Sequence, residues 1–265
     1  MQNTFYDKKN HRVYYTKRIN IEKENVEGDQ IFVTDIKKQK ETQLTDDIFA
    51  VNYIYAVDDQ VFFVARPLGS QVLKLGCLNL NNGQISYWGD KDTIEDRSIE
   101  AMTVDKKNKQ IYVSTYSEAE SRYNVIHQEG PPGESHYKMP KHTVYETDFS
   151  FEYTRELFSE NEWIRTIMNK GDTIVALSDV RYNEAKTPST LIEYNLKDGS
   201  ITKSPWETYR LQVGGANYSS DEKHIYALAS VDKPRGFYKY NLETKEFEEI
   251  FVPETGFINN IQVVK

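Results

Sequence analysis

The sequence predicts an all-β fold, a β-propeller built from four-stranded blades. Three observations support this prediction: short apolar runs follow polar turns five times, a unit of strands recurs about every 45–50 residues, and helical periodicity is nearly absent. A single four-stranded sheet cannot cover both of its faces, whereas sheets stacked around an axis cover one another and leave only short edges. The alternative all-β fold, a sandwich of hairpins, predicts no constant four-strand period.

The second strand of each unit is an apolar run that follows a turn of Asp, Asn, Lys or Gly residues. The five runs are VYYTKR (13–18), VFFVAR (61–66), IYVSTY (111–116), IVALSD (174–179) and IYALAS (225–230). Another short apolar stretch precedes each of these turns. Each unit therefore begins with a β-hairpin.

The third strand of each unit ends at an Asp or Asn that an apolar residue follows. These positions are Asp35, Asn79, Asp148, Asn195 and Asn241, spaced by 44, 69, 47 and 46 residues. A polar turn such as NNGQ or KDGS and a fourth strand come next. The long interval has a visible cause, because residues 116–141 form an insertion inside the third unit.

The units make up one predicted domain over residues 1–265, with a single incomplete repeat at its end. Their approximate bounds are 3–45, 46–90, 97–158, 162–206 and 209–252, and residues 256–264 resemble only the first strand of a further unit. Two interpretations follow. The chain is five-bladed, or it is an incomplete six-bladed ring whose other strands lay upstream, and we favour the second.

Composition excludes several classes of function. The net charge of −8 and the interspersed acidic and basic residues argue against nucleic-acid binding, which needs a basic face. The single Cys77 excludes an intramolecular disulfide and a cysteine-based zinc site, and we expect it to be buried. No segment approaches the roughly 20 apolar residues of a membrane span, so we expect no membrane insertion. We also expect the protein to have no cofactor and to be a monomer.

The start of the chain leaves two cellular locations open. Its first residues, MQNTFYDKKNHR, are polar and do not resemble a signal peptide. The sequence predicts a cytoplasmic protein if Met1 is the true start. It predicts a cell-envelope or secreted protein if the chain is a trimmed mature domain, and we favour this second location.

A ligand site is expected where the D-to-A and B-to-C loops of a propeller share the rim of the central channel, because loops on a rigid scaffold carry function. The candidate ligand-binding residues are Trp88, Arg97, Trp163, Arg165, Arg181, Trp206 and Arg210. Tryptophans at three D-to-A transitions would form an aromatic platform, and converging guanidiniums would hold a carboxylate or phosphate. The alternatives are aromatic caps at blade interfaces and arginines paired with neighbouring acids.

Two further loops contain candidate residues. The acidic loop at 88–98 offers Asp90, Asp92, Glu95 and Asp96 as oxygen donors for calcium, although it lacks the pattern of an EF-hand, so a solvated loop is preferred and no metal is predicted. The insertion is interpreted as a projecting hairpin that contacts a partner, with Tyr123, His127, His136 and Tyr137 as its contact residues. The alternative is a passive surface loop.

The repeat resembles the TolB-like β-propeller superfamily. The resemblance lies in a cadence of strand, Asp turn, IYV-like strand and then Y-N-L-x-x-G-x-I, and it extends over nearly the whole chain. It implies the propeller fold and a habit of binding ligands. It implies no catalytic residues.

Two functions from different classes remain open. The preferred one is a non-catalytic binding or scaffold propeller that recognises a protein, peptide or glycan at the channel rim. The alternative is a glycan-active hydrolase or lactonase with channel carboxylates, possible candidates being Glu100 and Asp179, with or without calcium. A serine hydrolase is not expected, because no Gly-x-Ser-x-Gly is present.

Overall fold

The computed structural model describes residues 4–21, 25–89, 96–127, 138–179, 189–206, 217–218, 223–229, 236–256, 258 and 261. Its contacts divide the chain into two compact units, with the boundary between Ile99 and Glu100. The first unit holds sheets 1 and 2, and the second holds sheets 4 and 5 and nearly all of sheet 3.

The described residues form five four-stranded antiparallel sheets in which strands A to D follow chain order. Sheet 1 contains β1 (Thr4–Asp7), β2 (Arg12–Ile21), β3 (Val26–Asp35) and β4 (Lys40–Gln43). Sheet 2 contains β5 (Ile48–Val57), β6 (Gln60–Pro67), β7 (Lys74–Asn79) and β8 (Ile85–Tyr87). Sheet 3 contains β9 (Arg97–Asp105), β10 (Gln110–Ser117), β11 (His142–Asp148) and β12 (Thr154–Glu160).

The last two sheets repeat this order. Sheet 4 contains β13 (Trp163–Lys170), β14 (Thr173–Asp179), β15 (Ser189–Asn195) and β16 (Ile201–Trp206). Sheet 5 contains β17 (Asn217–Tyr218), β18 (His224–Ala229), β19 (Gly236–Asn241) and β20 (Phe247–Phe251). The predicted fold class is confirmed: the chain is a β-propeller with five blades.

The preference for an incomplete six-bladed ring is not supported. Five sheets account for the fold, and no sixth is needed. Within the predicted extra strand at 256–264, the described residues Gly256, Ile258 and Ile261 are not in a strand, and the others lie outside the description.

Within each unit, neighbouring sheets bury their faces against each other. One core joins sheets 1 and 2, where the rings of Phe5 and Tyr55 lie 4.6 Å apart. A second core joins sheets 3 and 4 and includes stacked Phe158 and Tyr194. A third core joins sheets 4 and 5 around Trp206. Burial of apolar area at about 25 cal/mol per Å² makes these cores the main source of stability.

The Asp or Asn at the end of each C strand caps the turn that follows it. Its side-chain oxygen accepts a hydrogen bond from a backbone N–H two to five residues ahead, at 2.9–3.0 Å. The five residues are Asp35, Asn79, Asp148, Asn195 and Asn241. This is the Asx turn, in which a short polar side chain replaces a backbone acceptor. The repeated residue in the sequence is therefore a turn-forming device.

The apolar residue that follows the Asx residue connects four of these turns to the A-to-B turn of the same sheet. In four sheets its backbone N–H donates to a carbonyl in the A-to-B turn at 2.8–3.0 Å; these donors are Ile36, Leu80, Leu196 and Leu242. Each C-to-D turn also contains a residue with positive φ, between 50° and 72°, namely Gln39, Gly83, Phe151, Gly199 and Lys245. Glycine occupies two of these positions, which explains its appearance in the cadence.

The insertion contains a helix where a hairpin was expected. Helix α1 (Glu118–Ile126) begins after Ser117, whose Oγ accepts a hydrogen bond from the Glu120 backbone N–H at 2.9 Å. The hairpin prediction is therefore wrong for this segment, because the cap and the acidic first turn at Glu118 and Glu120 favour a helix. At nine residues α1 is too short to cross a membrane, and the described chain contains no helix that could.

Two buried side chains with ionisable groups are held in their neutral forms. Cys77 is buried as expected, and burial raises the pKa of its thiol to about 11. His142 is 1% exposed and stacks on Tyr116, with the ring centroids 5.2 Å apart. Burial lowers the pKa of His142 to about 4, because a charged imidazolium would lose its hydration there.

Replacing Asn241 tests the Asx turns. Asn241 accepts hydrogen bonds from the backbone N–H groups of Glu243 and Thr244 at 2.9 and 3.1 Å. Asn241→Ala should lower the free energy of unfolding by about 1 kcal/mol, as loss of a hydrogen-bonded side chain typically does. Asn241→Asp is the matched control, because sheets 1 and 3 use Asp there, and it should stay within about 0.5 kcal/mol. Urea unfolding measures both, and equal losses would contradict the assigned role.

Replacing His142 tests its neutral burial. The pKa of His142 falls from 6.5 when unfolded to about 4 when folded, so the stability it confers is present above pH 6.5 and is lost as the pH falls. Between pH 7 and pH 5 this loss should be about 2 kcal/mol. His142→Phe keeps an aromatic ring against Tyr116 but cannot take up a proton. Unfolding at both pH values should show the variant gaining about 2 kcal/mol over wild type on acidification, and parallel curves would refute neutral burial.

Candidate functional site

Candidate site residues lie at one end of the sheets, which we call the B–C end. At this end strand A begins, strand B passes into strand C, and strand D finishes. The opposite end is occupied by the A-to-B turns and the Asx turns. Side chains at the B–C end do not take part in the repeated turns, and they differ from sheet to sheet.

A cluster of three side chains forms at the B–C ends of sheets 3 and 4, within the second unit. Glu100 lies near the start of β9, and Trp163 and Arg165 lie at the start of β13. The indole N–H of Trp163 donates a hydrogen bond to the Glu100 carboxylate, and the Arg165 guanidinium lies close enough to attract it electrostatically. The guanidinium carbon of Arg165 stands 4.1 Å from the centroid of the Trp163 ring. The three groups thus hold one another in a fixed arrangement.

The carboxyl group of Glu100 is balanced between its charged and neutral forms. Burial raises the pKa of Glu100, and the hydrogen bond from Trp163 and the charge of Arg165 act in the opposite direction. The pKa that results is about 7, against an ordinary value of 4.5. Near neutral pH the group therefore exists in both forms and can either donate or accept a hydrogen bond.

Two contacts from neighbouring strands fix the start of β13. Ser114 on β10 donates through its Oγ to the carbonyl of Ile164 at 3.2 Å. Ser178 on β14, which is completely buried, donates to the Glu162 carboxylate. Trp163 lies between these two anchored residues and is opposite Asp179 in the strand register. Trp163 is therefore positioned by strands and not by a loose loop.

In the first unit, two arginine–aromatic pairs lie at the B–C end of sheet 2 and the adjoining start of β9. The guanidinium carbon of Arg97 is 5.1 Å from the ring centroid of Trp88, which is 8% exposed. The guanidinium carbon of Arg66 is 4.0 Å from the ring centroid of Phe49. Sequence reasoning missed Arg66, although it holds the same position in VFFVAR as Arg18 holds in VYYTKR, and that repeat was the available signal.

Trp206 belongs to the core and is removed from the candidate ligand platform. Its side chain is 0% exposed and packs against Tyr240 and Phe247, with ring centroids 4.2 and 5.4 Å away. The alternative interpretation of this tryptophan, a large aromatic at a blade interface, describes its position. The fourth D strand ends in Pro205 and Trp206. Nothing in that local sequence indicates whether the tryptophan ring is buried or exposed.

In the insertion, the described candidates are Tyr123 and His127 at the end of α1. Their rings stack with centroids 4.0 Å apart, and Tyr123 is 61% exposed. His127 also contacts the carbonyl of Tyr123 through Nδ1 at 2.9 Å. The pair is accessible, and its role in partner contact stays a prediction.

Several predicted site residues lie outside the described residues: Arg181, Arg210, Asp90, Asp92, Glu95, His136 and Tyr137. Asp96 is described and lies in the turn before β9. Within the described ranges, no group of three or more His, Cys, Asp or Glu side chains is arranged to hold a metal ion. The preference for a solvated acidic loop over a calcium site stays a prediction.

Comparison with known proteins identifies the fold. No family model matches the chain, and no curated protein sequence matches it. The nidogen/laminin complex structure matches with a TM-score of 0.60 and 10% identity, covering 95% of this chain and 79% of that chain. An oligogalacturonate lyase in complex with manganese matches with a TM-score of 0.57 and 12% identity, covering 94% and 72%.

TolB from Acinetobacter baumannii matches with a TM-score of 0.54 and 11% identity, covering 89% of this chain and 50% of that chain. At such identities, structural likeness carries information on the fold and not on activity. The resemblance noted from the repeat cadence is confirmed at this broad level. The chain has a β-propeller fold that it shares with TolB and with other propeller proteins of differing activity.

Proposed function

We propose that this protein is a non-catalytic binding propeller that recognises a protein, peptide or glycan ligand at the B–C ends of sheets 3 and 4. The observation that supports the proposal is the mutual arrangement of Glu100, Trp163 and Arg165. The structural neighbours include a protein complex and a lyase, so they do not choose between binding and catalysis. The proposal depends on the cluster itself.

The cluster combines the group types that favour ligand recognition. Tryptophan and arginine are enriched among the residues that contribute most to binding, because they offer large contact area and directed hydrogen bonds. Trp163 is half-buried, and its neighbours on the strand are anchored by Ser114 and Ser178. A ligand would therefore meet a side chain that loses little rotamer freedom on binding.

Glu100 has a positioning role in this proposal. It accepts the hydrogen bond from Trp163 and lies beside the charge of Arg165. It thereby orients both the aromatic ring and the guanidinium. An anionic ligand group at Arg165 would further raise the pKa of Glu100, because like charges disfavour ionisation.

Binding measurements on Arg165→Ala test the proposal. The wild-type protein is first screened on peptide and glycan arrays, and a ligand found there is titrated by calorimetry. Arg165→Ala should weaken binding at least about tenfold, because hot-spot residues contribute more than about 1.4 kcal/mol. The unfolding free energy should change by no more than about 1 kcal/mol.

Lys203→Ala is the matched control in the same unit, since it also removes a cation, here one paired with Glu160 at 2.7 Å on outer strands. Its ligand affinity should equal that of wild type. The proposal fails if the arrays yield no ligand, if Arg165→Ala binds normally, or if its stability falls in step with its affinity.

A second candidate function is supported by one observation, the pKa of Glu100 near 7. A carboxyl group with that pKa suits a general acid or base at neutral pH, so a glycan-active hydrolase or lactonase is the alternative. Glu100→Gln distinguishes the two functions. It should abolish turnover of glycosides or lactones by an enzyme, whereas a binding protein should show no turnover before or after the substitution.

The same substitution tests the state of Glu100 without any ligand. Its folded pKa is raised, so the stability that it confers is present below pH 4.5 and is lost as the pH rises through 7. Between pH 5 and pH 8, wild type should therefore lose on the order of 2 kcal/mol relative to Glu100→Gln, after allowance for partial solvent exposure. Urea unfolding at the two pH values measures the difference. A variant that follows wild type at both would show that Glu100 keeps an ordinary pKa.

A further inference from the structure

The first unit contains two arginines at the same position of the repeat, with different surroundings. Arg18 on β2 and Arg66 on β6 each close the apolar run of a B strand. Arg18 pairs with Glu27 at 3.1 Å and with Asp29 at 3.7 Å. Its charge is therefore compensated by carboxylates of its own sheet.

No described carboxylate pairs with Arg66 in this way. Within the part of the chain that the structure describes, it forms no ion pair, and its contact is with the ring of Phe49 at 4.0 Å. Arg66 is half-buried, at the end of a strand whose preceding five residues are completely buried. A cation–π contact engages the flat face of the guanidinium and does not use its N–H groups.

The backbone around Arg66 is fixed. The N–H of Leu68 donates to the carbonyl of Asp47 at 2.8 Å, and the N–H of Ser70 donates to the carbonyl of Pro67 at 3.1 Å. Val72, which is 4% exposed, anchors the loop that follows. Asp46 and Asp47 in the facing loop are exposed to water, which screens their charges. Arg66 is therefore held in place by its own strand, its loop and Phe49.

We propose that Arg66 and Phe49 form a binding site for an oxyanion, a carboxylate or phosphate group carried by a ligand. The planar fork of a guanidinium matches two oxygens of such a group through parallel N–H···O hydrogen bonds. Stacking on Phe49 fixes the plane of the fork, so little rotamer entropy is lost when the anion binds. This site lies in the first unit and is independent of the function proposed for Glu100, Trp163 and Arg165.

Anion titration of the whole protein tests the site. Sodium phosphate and sodium acetate are added separately at constant ionic strength, and the arginine Nε–H signals are followed by NMR. In wild type, the Arg66 signal should shift and saturate with at least one of the two anions. Saturation by phosphate alone identifies a phosphate group, and saturation by acetate, with or without phosphate, identifies a carboxylate.

Variants assign the effect to Arg66. Arg66→Ala should weaken anion binding at least tenfold, measured by the remaining signals and by the anion-dependent rise in melting temperature. Arg66→Lys keeps the charge but loses the fork, so it should weaken binding several-fold, and it serves if the alanine variant folds poorly. Arg18→Ala is the matched control and should bind within twofold of wild type, because its charge pairs with Glu27 and Asp29.

Three outcomes would overturn the proposal. Wild type fails to reach saturation with either anion, Arg66→Ala binds as wild type does, or Arg18→Ala loses as much affinity as Arg66→Ala. The last result would show a general response to lost positive charge. Because the Arg66 Nε–H signal reports on the first unit alone, failure at Arg66 is distinguishable from failure of the function proposed for the second unit.

Discussion

The structure depends on one constraint: a four-stranded sheet has two apolar faces and cannot cover either of them alone. In each unit the sheets meet this constraint by packing on their neighbours, as the cores between sheets 1 and 2, 3 and 4, and 4 and 5 show. The large aromatic side chains contribute most of the area, with Trp206 against Tyr240 at the last of these interfaces. Each sheet thus buries apolar area that it could not cover alone, which is why the unit is repeated.

The two ends of each sheet differ in structure: one carries the repeated turns, and the other carries the variable residues. At one end, Asx residues and the following apolar residues tie the A-to-B and C-to-D turns together in the same way through most of the chain. That regularity leaves the B–C end free to vary. The helix α1, the cluster around Trp163 and the pair of Arg66 with Phe49 all lie there. This division is the usual way in which a rigid β-scaffold carries recognition residues.

Buried ionisable groups give the second unit opposing responses to pH. Burial favours the neutral form of both His142 and Glu100, but neutrality means loss of a proton for the imidazole and gain of one for the carboxyl. Acidification therefore weakens the fold through His142 and strengthens it through Glu100. The stability of wild type should vary less with pH than either residue alone would dictate. A site that contains a half-ionised carboxyl can thus exist in a fold that remains stable around neutral pH.

The sequence alone determined the fold class, the four-strand period and the turn positions, because these depend on local chemistry such as apolar alternation and the Asx residues Asn195 and Asn241. It also placed Trp163 and Arg165 together, since they are neighbours on one strand. Only the tertiary structure decided that Trp206 is core, that Glu100 meets Trp163, and that no described carboxylate pairs with Arg66 as Glu27 pairs with Arg18. The physical reason is that burial and charge pairing are set by residues distant in the chain. A local pattern can indicate a strand end, but it cannot specify which side chain from another strand will face it.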